Sequence, residues 1–203
     1  MKNLLINIGQ KSKKAFSYKL SSKKKNKVLN DYFHLIRKNK KLIINENKKD
    51  LENANKKKLK RNLLKRLVLD DKKILDIVNS IKKIVKLRDP TNIILEKWQR
   101  PNGLKISKVS IAIGVIGVIY ESRPDVTSDI ASLCFKSGNS VILKGGSEAF
   151  YSNKILSKFF RKSLEKNKID KNFVQFIDIK NRSVVDLLLT KMSKYIDVII
   201  PRG

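Results

Sequence analysis

Ile111-Ala112-Ile113-Gly114-Val115-Ile116-Gly117-Val118-Ile119-Tyr120 is an unbroken apolar run, rich in β-branched residues and free of charge. Such a run reads as a strand buried on both faces of a parallel sheet, because a half-exposed strand would alternate with polar residues. Gly114 and Gly117 within it are read as points of close packing. Downstream, strand and helix patterns alternate. Val126 to Lys136 is helical in pattern and stops at Gly138-Asn139. Ser140 to Lys144 is a short apolar strand, Gly145-Gly146 a turn, and Ser147 a candidate N-cap for a helix through Leu164. Phe173 to Ile177 reads as strand, Ser183 as a cap for the helix Val184 to Met192, and Tyr195 to Ile200 as a last strand before Pro201-Arg202-Gly203. This alternation with short connections predicts a parallel α/β sheet with right-handed crossovers.

Upstream of the decisive run the pattern is helical. Ala15, Phe16 and Leu20 mark a helix over Lys13 to Leu20, and Ser21-Ser22 offers a cap for the next, which carries Val28, Leu29, Phe33, Leu35 and Ile36. Apolar stripes continue through Ile43, Leu51, Leu59 and Leu67. Asp70 or Asp71 can cap a helix from Ile74 to Leu87 that Asp89-Pro90 ends. Between the helices and the sheet, Ile93 to Trp98 and Leu104 to Val109 flank Pro101-Asn102-Gly103. That is a hairpin signal, Asn-Gly tolerating positive φ at both positions. The organisation expected is a helical region over 1–90, a hairpin over 91–110 and an α/β unit over 111–203.

Composition narrows the class. Hydrophobic residues are 41% of 203, enough to bury a core. No apolar run is long enough to span a bilayer, so no membrane partner is expected. The first residues lack the long apolar segment of a signal peptide. The single cysteine, Cys134, cannot close an intrachain disulfide, which fits a reducing, cytoplasmic setting. The net charge of +29 raises nucleic acid as a partner. The excess is carried by lysine spread along the chain rather than by arginine, which is the better reader of phosphates and base edges. Nucleic-acid contact is therefore expected to be non-specific and salt-sensitive.

Chemistry is expected beyond the carboxyl ends of the parallel strands. Two segments stand there. Tyr120-Glu121-Ser122-Arg123-Pro124-Asp125 follows the long strand, and Lys144-Gly145-Gly146-Ser147-Glu148 follows the next. In the second, glycines, a lysine and a helix N-terminus suit a nucleotide phosphate or ribose; the alternative is a plain tight turn. In the first, Arg123 either holds an anionic substrate group through its planar fork or pairs with Glu121 or Asp125. Cys134 lies in an apolar helical pattern with Ile130, Leu133 and Phe135, which predicts a buried, inert thiol. His34 is the only histidine, so neither a zinc site nor a Cys–His dyad can be assembled from it. Trp98 reads as a packing or interface residue of the hairpin.

The segment from Ile113 to Thr127 resembles the signature G-V-I-G-V-I-Y-E-A-R-P-N-V-T of γ-glutamyl phosphate reductases (glutamate-5-semialdehyde dehydrogenases). Ala131 to Ala149 resembles the family's next block, and Lys194 to Gly203 its K-Y-I-D-x-x-I-P-R-G-G block. Ser21 to Leu29 and Arg66 to Leu69 are similar to its N-terminal helices. The resemblance implies an aldehyde dehydrogenase fold, helical at its N-terminus, with a β-hairpin and an incomplete Rossmann-like parallel sheet. It implies NADPH-dependent reduction of γ-glutamyl phosphate to glutamate-5-semialdehyde in proline biosynthesis, by a homo-oligomer. In that chemistry a cysteine thiolate displaces phosphate and the thioester accepts hydride, which a carboxylate would not. By resemblance Lys144, Gly145, Gly146 and Ser147 lie against the ribose or phosphates of NADP(H), and Glu121, Arg123 and Asp125 lie near the reacting centre.

The departures from the family shape the expectation. The family's S-T-C-N nucleophile motif does not occur in this sequence, and Cys134 does not correspond to it. Asp125 stands where the family usually has Asn, and Ala112 where it commonly has Pro. A carboxylate near a bound phosphate would repel it. The expectation is a shortened or split reductase, inactive alone and completed either by a second chain that carries the nucleophile or by slippage during expression that restores the frame. The alternatives are a non-catalytic nucleotide-binding module and a basic nucleic-acid-binding protein.

Overall fold

The computed structural model describes residues 1–121 and 123–202; Ser122 and Gly203, both within the motifs above, lie outside the described residues. Five helices come first: α1 (Lys2–Phe16), α2 (Ser22–Lys38), α3 (Lys40–Lys56), α4 (Arg61–Leu67) and α5 (Asp71–Lys86). A hairpin of β1 (Ile94–Gln99) and β2 (Lys105–Val109) follows. Then come β3 (Val115–Tyr120), α6 (Pro124–Lys136), β4 (Ser140–Gly145), α7 (Phe150–Lys166), β5 (Val174–Phe176), α8 (Ser183–Lys191) and β6 (Val198–Arg202). Two 3₁₀ turns, Ser147–Ala149 and Lys171–Phe173, precede α7 and β5.

The four later strands form one parallel sheet in the order β5-β4-β3-β6. All of β3 is buried except the half-buried Ile119, as the uninterrupted apolar run requires. Its side chains alternate between two cores. Ile116, Val118 and Tyr120 pack with residues of α2, α5, α6 and α7 on one face. Val115 packs on the other face with Leu5 of α1 and with Val184 and Leu188 of α8. Burial of each such aliphatic side chain stabilises the fold by about 1.5–3 kcal/mol. The early helices therefore supply cover for both faces of the sheet.

Several expectations are corrected. α1 starts at Lys2 and ends at Phe16 rather than running from Lys13 to Leu20. Leu5 gives that early turn its anchor, 1% exposed against the second sheet face, a contact no local pattern reveals. β3 starts at Val115 because Gly114 adopts φ +137°, and Ile111 and Ile113 before it are exposed. Of the proposed caps, Ser21 accepts the Lys24 N–H and Asp70 the Lys73 N–H, as local pattern predicts. Ser183 makes no cap; the Asn181 side chain accepts its N–H instead, at 2.9 Å. Ser147 belongs to the 3₁₀ turn and caps nothing.

The hairpin pairs Trp98 with Ile106 across antiparallel strands. Only Gly103 of the Asn-Gly pair takes positive φ, and its N–H donates to the Arg100 carbonyl at 2.9 Å. This matches a type I turn ending in a left-handed glycine, not a turn with two positive φ values. Trp98 is 42% exposed rather than packed. No helix among the described residues is long and apolar enough to cross a membrane.

Candidate functional site at the carboxyl ends of the strands

From β3 the chain passes through α6 to β4 on one side, while β6 pairs on the other. The carboxyl ends of β3 and β6 therefore flank a topological switch point, where a crevice opens because the connections leave in opposite directions. Glu121 and Arg123 stand there because β3 ends at Tyr120 and α6 begins at Pro124. Proline suits a first helical position, and Asp125 beside it complements the helix dipole. The Arg123 backbone N–H donates to the Glu121 carbonyl at 2.6 Å, and both residues are exposed.

Three adjoining clefts open at this end. A switch-point pocket of about 230 Å³ is lined by Leu63, Arg66, Tyr120, Glu121, Arg123 and Arg202, with Val126 behind. A second cleft of about 350 Å³ brings Glu121 together with Lys144, Gly145, Gly146, Ser147 and Glu148, and with Lys180 and Arg182. A third, of about 460 Å³ between α4, α5 and α6, holds Asp125 and Asp129, and Arg66 and Arg123 reach it too. The structure thus gathers Lys144, Gly145, Gly146, Ser147 and Glu121 in one place. It puts Arg123 in the neighbouring pocket and in the third cleft, where Asp125 stands with it. The carboxylate that stands where the family usually has Asn lines the third cleft, together with Arg66 and Arg123.

Lys144 is 5% exposed at the end of β4, and its ammonium donates to the Gly145 carbonyl at 2.9 Å. Burial lowers its pKa, and Glu148 offsets this in part. A buried ammonium with hydrogens to spare at a cleft wall suits an anionic or hydroxyl-bearing ligand. Burial likewise perturbs Asp129, raising its pKa; Ser80 donates to it at 2.7 Å, Asp125 adds to the rise and Arg202 opposes it.

Gly145 and the first turn of α7 also make internal contacts that the sequence does not reveal. A Cβ on Gly145 would lie 2.2 Å from Asn153 Nδ2, so internal packing by itself calls for glycine here. The first-turn amides of α7 are taken as well. Tyr151 N–H and Ser152 N–H donate to the two carboxylate oxygens of Asp50, a buried residue of α3, at 3.0 and 2.8 Å. An anion at that helix end is favoured physically, but the protein supplies its own. Behind the cleft, Tyr120 and Thr127 share a hydroxyl contact of 2.7 Å, and Thr127 donates to Asn153 Oδ1 at 2.8 Å.

Sequence reasoning missed Arg66 and Arg202 as pocket residues. A usable signal was present: arginine is scarce in this lysine-rich chain, and these positions lie in blocks that carry the resemblance. Cys134 is 8% exposed in the core, and burial pushes its thiol up to about 12. No described carboxylate forms a salt bridge with Arg66, Arg123 or Arg202.

Comparison with known proteins places this site in a family context. No protein-family model matches the chain. A γ-glutamyl phosphate reductase of Clostridium tetani is 42% identical over 201 residues, covering 98% of this chain and 47% of the relative. The crystal structure of γ-glutamyl phosphate reductase from Thermotoga maritima superposes with a TM-score of 0.94 at 34% identity, covering 98% of this chain and 48% of that one. A probable aldehyde dehydrogenase from Listeria monocytogenes shares the fold alone, with a TM-score of 0.68 at 13% identity. The chain spans about half the length of the curated relatives it matches. Its fold is that of the N-terminal half of γ-glutamyl phosphate reductase, and the resemblance read from the motifs holds along essentially its whole length.

Proposed function

We propose that this chain supplies the cofactor-binding and substrate-positioning part of an NADPH-dependent reduction of γ-glutamyl phosphate to glutamate-5-semialdehyde, a step of proline biosynthesis. The observation that carries the reading is the meeting of the Glu121–Arg123 loop with the Lys144–Ser147 turn at the switch point of the sheet. The similarity to γ-glutamyl phosphate reductases supplies the reaction class.

The residues present fit NADP(H). The second cleft offers the cations Lys144, Lys180 and Arg182 and the Ser147 hydroxyl, a donor set suited to ribose hydroxyls and phosphates. When bound, the cofactor supplies hydride. In this reading Lys144 holds a ribose or phosphate oxygen, and Glu121 and Arg123 sit between cofactor and substrate. Gly145 keeps the β4 terminus close to Asn153 and so fixes where the Lys144 ammonium stands.

The chain by itself is proposed not to turn over. Thiolate chemistry needs an accessible sulfur of depressed pKa, and the one cysteine here is buried with its pKa raised. A segment carrying the family's nucleophile motif would complete the site. The test has two parts. The purified 203-residue chain should bind NADPH with an affinity that Lys144→Ala weakens about tenfold, the scale of one lost charge-assisted contact. It should show no phosphate-dependent oxidation of glutamate-5-semialdehyde until the nucleophile-bearing segment is added. Turnover by the chain alone, abolished by Cys134→Ala, would overturn the reading.

A further inference from the structure

Of the nine arginines in the sequence, three line the small switch-point pocket: Arg66 from α4, Arg123 before α6 and Arg202 at the end of β6. The chain fills its tolerant positions with lysine, so three arginines in a pocket of about 230 Å³ are not the background charge. Their elements are brought together only by the fold, since β6 pairs with β3 and α4 packs over the same end. All three arginines are exposed residues that line this pocket, and none forms a salt bridge with a described carboxylate. Like charges so placed repel, and a bound anion of matching geometry relieves that repulsion. The planar fork of arginine matches a tetrahedral oxyanion bidentately, where lysine offers a point charge.

We propose that Arg66, Arg123 and Arg202 together form the subsite for a phosphoryl group, that of the acyl phosphate substrate and of the inorganic phosphate released from it. This rests on the reading of the chain given above and adds Arg66 and Arg202 to it. Among the described residues lining this pocket Glu121 is the one carboxylate; Asp125 and Asp129 lie in the adjoining cleft that Arg66 and Arg123 also reach, and Arg202 acts on Asp129 through space without a salt bridge. The same oxyanion chemistry could come from the cofactor's phosphates or from a substrate carboxylate, and the experiment separates the three.

Inorganic phosphate, NADPH and glutamate are each titrated into the full chain by calorimetry at fixed ionic strength. The variants are Arg66→Ala, Arg202→Ala, their Lys counterparts, and the distant surface control Lys162→Ala, with circular dichroism reporting folding. Each Ala variant is expected to weaken phosphate binding about tenfold, the scale of one lost charge-assisted contact. The Lys variants should recover part of this, NADPH affinity should change less than about twofold, and Lys162→Ala should change nothing. The Lys variants keep the charge and so report on the fork even where an Ala variant misfolds. The proposal fails if Lys162→Ala weakens phosphate equally, or if the arginine variants weaken only NADPH or only glutamate. Absence of NADPH binding to the unaltered chain would instead remove the cofactor reading, leaving the phosphate titration to decide the arginine site by itself.

Discussion

A Cβ placed on Gly114 would lie 2.1 Å from Oδ2 of Asp197, closer than any real contact. The same oxygen accepts the Val115 N–H at 2.7 Å and the Lys13 ammonium at 2.8 Å. Gly114 also needs φ +137°, a conformation that side-chain-bearing residues rarely adopt. One glycine thus lets an aspartate in the turn before β6 reach the start of β3 and fasten α1 to the sheet.

Gly114→Ala should destabilise the chain by about 3 kcal/mol or more, from the strained backbone together with the broken carboxylate contacts. Urea denaturation followed by circular dichroism measures this. A loss below about 1 kcal/mol would mean the Asp197 anchor moves aside freely.

The Asp197 anchor is pH-dependent. Burial raises its pKa, but Lys13 and the Val115 N–H outweigh burial and hold the carboxyl below the usual range. Its folded value is therefore lower than its unfolded one. The stability it contributes is present above the ordinary carboxylate pKa and is lost as pH falls through the folded value. Asp197→Asn should flatten the acid limb of stability against pH, measured by denaturant midpoints from pH 6 downward, roughly through the carboxylate range. An acid limb identical to that of the unaltered chain would remove Asp197 from the account.

Asp50 runs the other way. Burial raises its pKa, against the opposing bonds from Ser152 and Tyr151. With the folded pKa above the unfolded one, stability is greatest below the ordinary value and declines as pH rises through the folded one. Removing the side chain nevertheless leaves the α7 amides unpaired. Asp50→Ala should therefore cost about 1–3 kcal/mol at neutral pH, and amide exchange at Tyr151 and Ser152 should accelerate. Unchanged exchange there would show that water replaces the carboxylate without loss.

Cys134 should resist alkylation at neutral pH in the folded chain, because burial holds the thiol protonated, its pKa pushed up to about 12. Its modification rate should follow global unfolding as urea is added. Rapid labelling without denaturant would show a reactive thiol and reopen the question of the nucleophile.

Local chemistry was legible in the sequence. Ser21 and Asp70 could be recognised as caps because a cap needs only the three residues that follow it. The turn at Gly138 was visible for the same reason, glycine taking φ +77° there. The parallel sheet was legible because a strand covered on both faces has no polar alternation, and β3 shows none. The cleft at Lys144 followed from where strands of such a sheet end.

Long-range pairing decided the rest. Asp50 takes the end of α7 from 102 residues away in sequence, so the helix terminus that looked ready for a phosphate is already satisfied. Gly145 is glycine because Asn153 lies where a Cβ would be. Leu5 became helix because the second sheet face needed cover. Arg66, Arg123 and Arg202 stand together only because β6 crosses to the far side of β3 while α4 folds over the same end. The sequence by itself determined the element types, since those depend on periods of two and 3.6 residues and on neighbouring caps. Which charges meet, and which donors are already spent, depends on contacts between distant segments, and only the tertiary structure decided that.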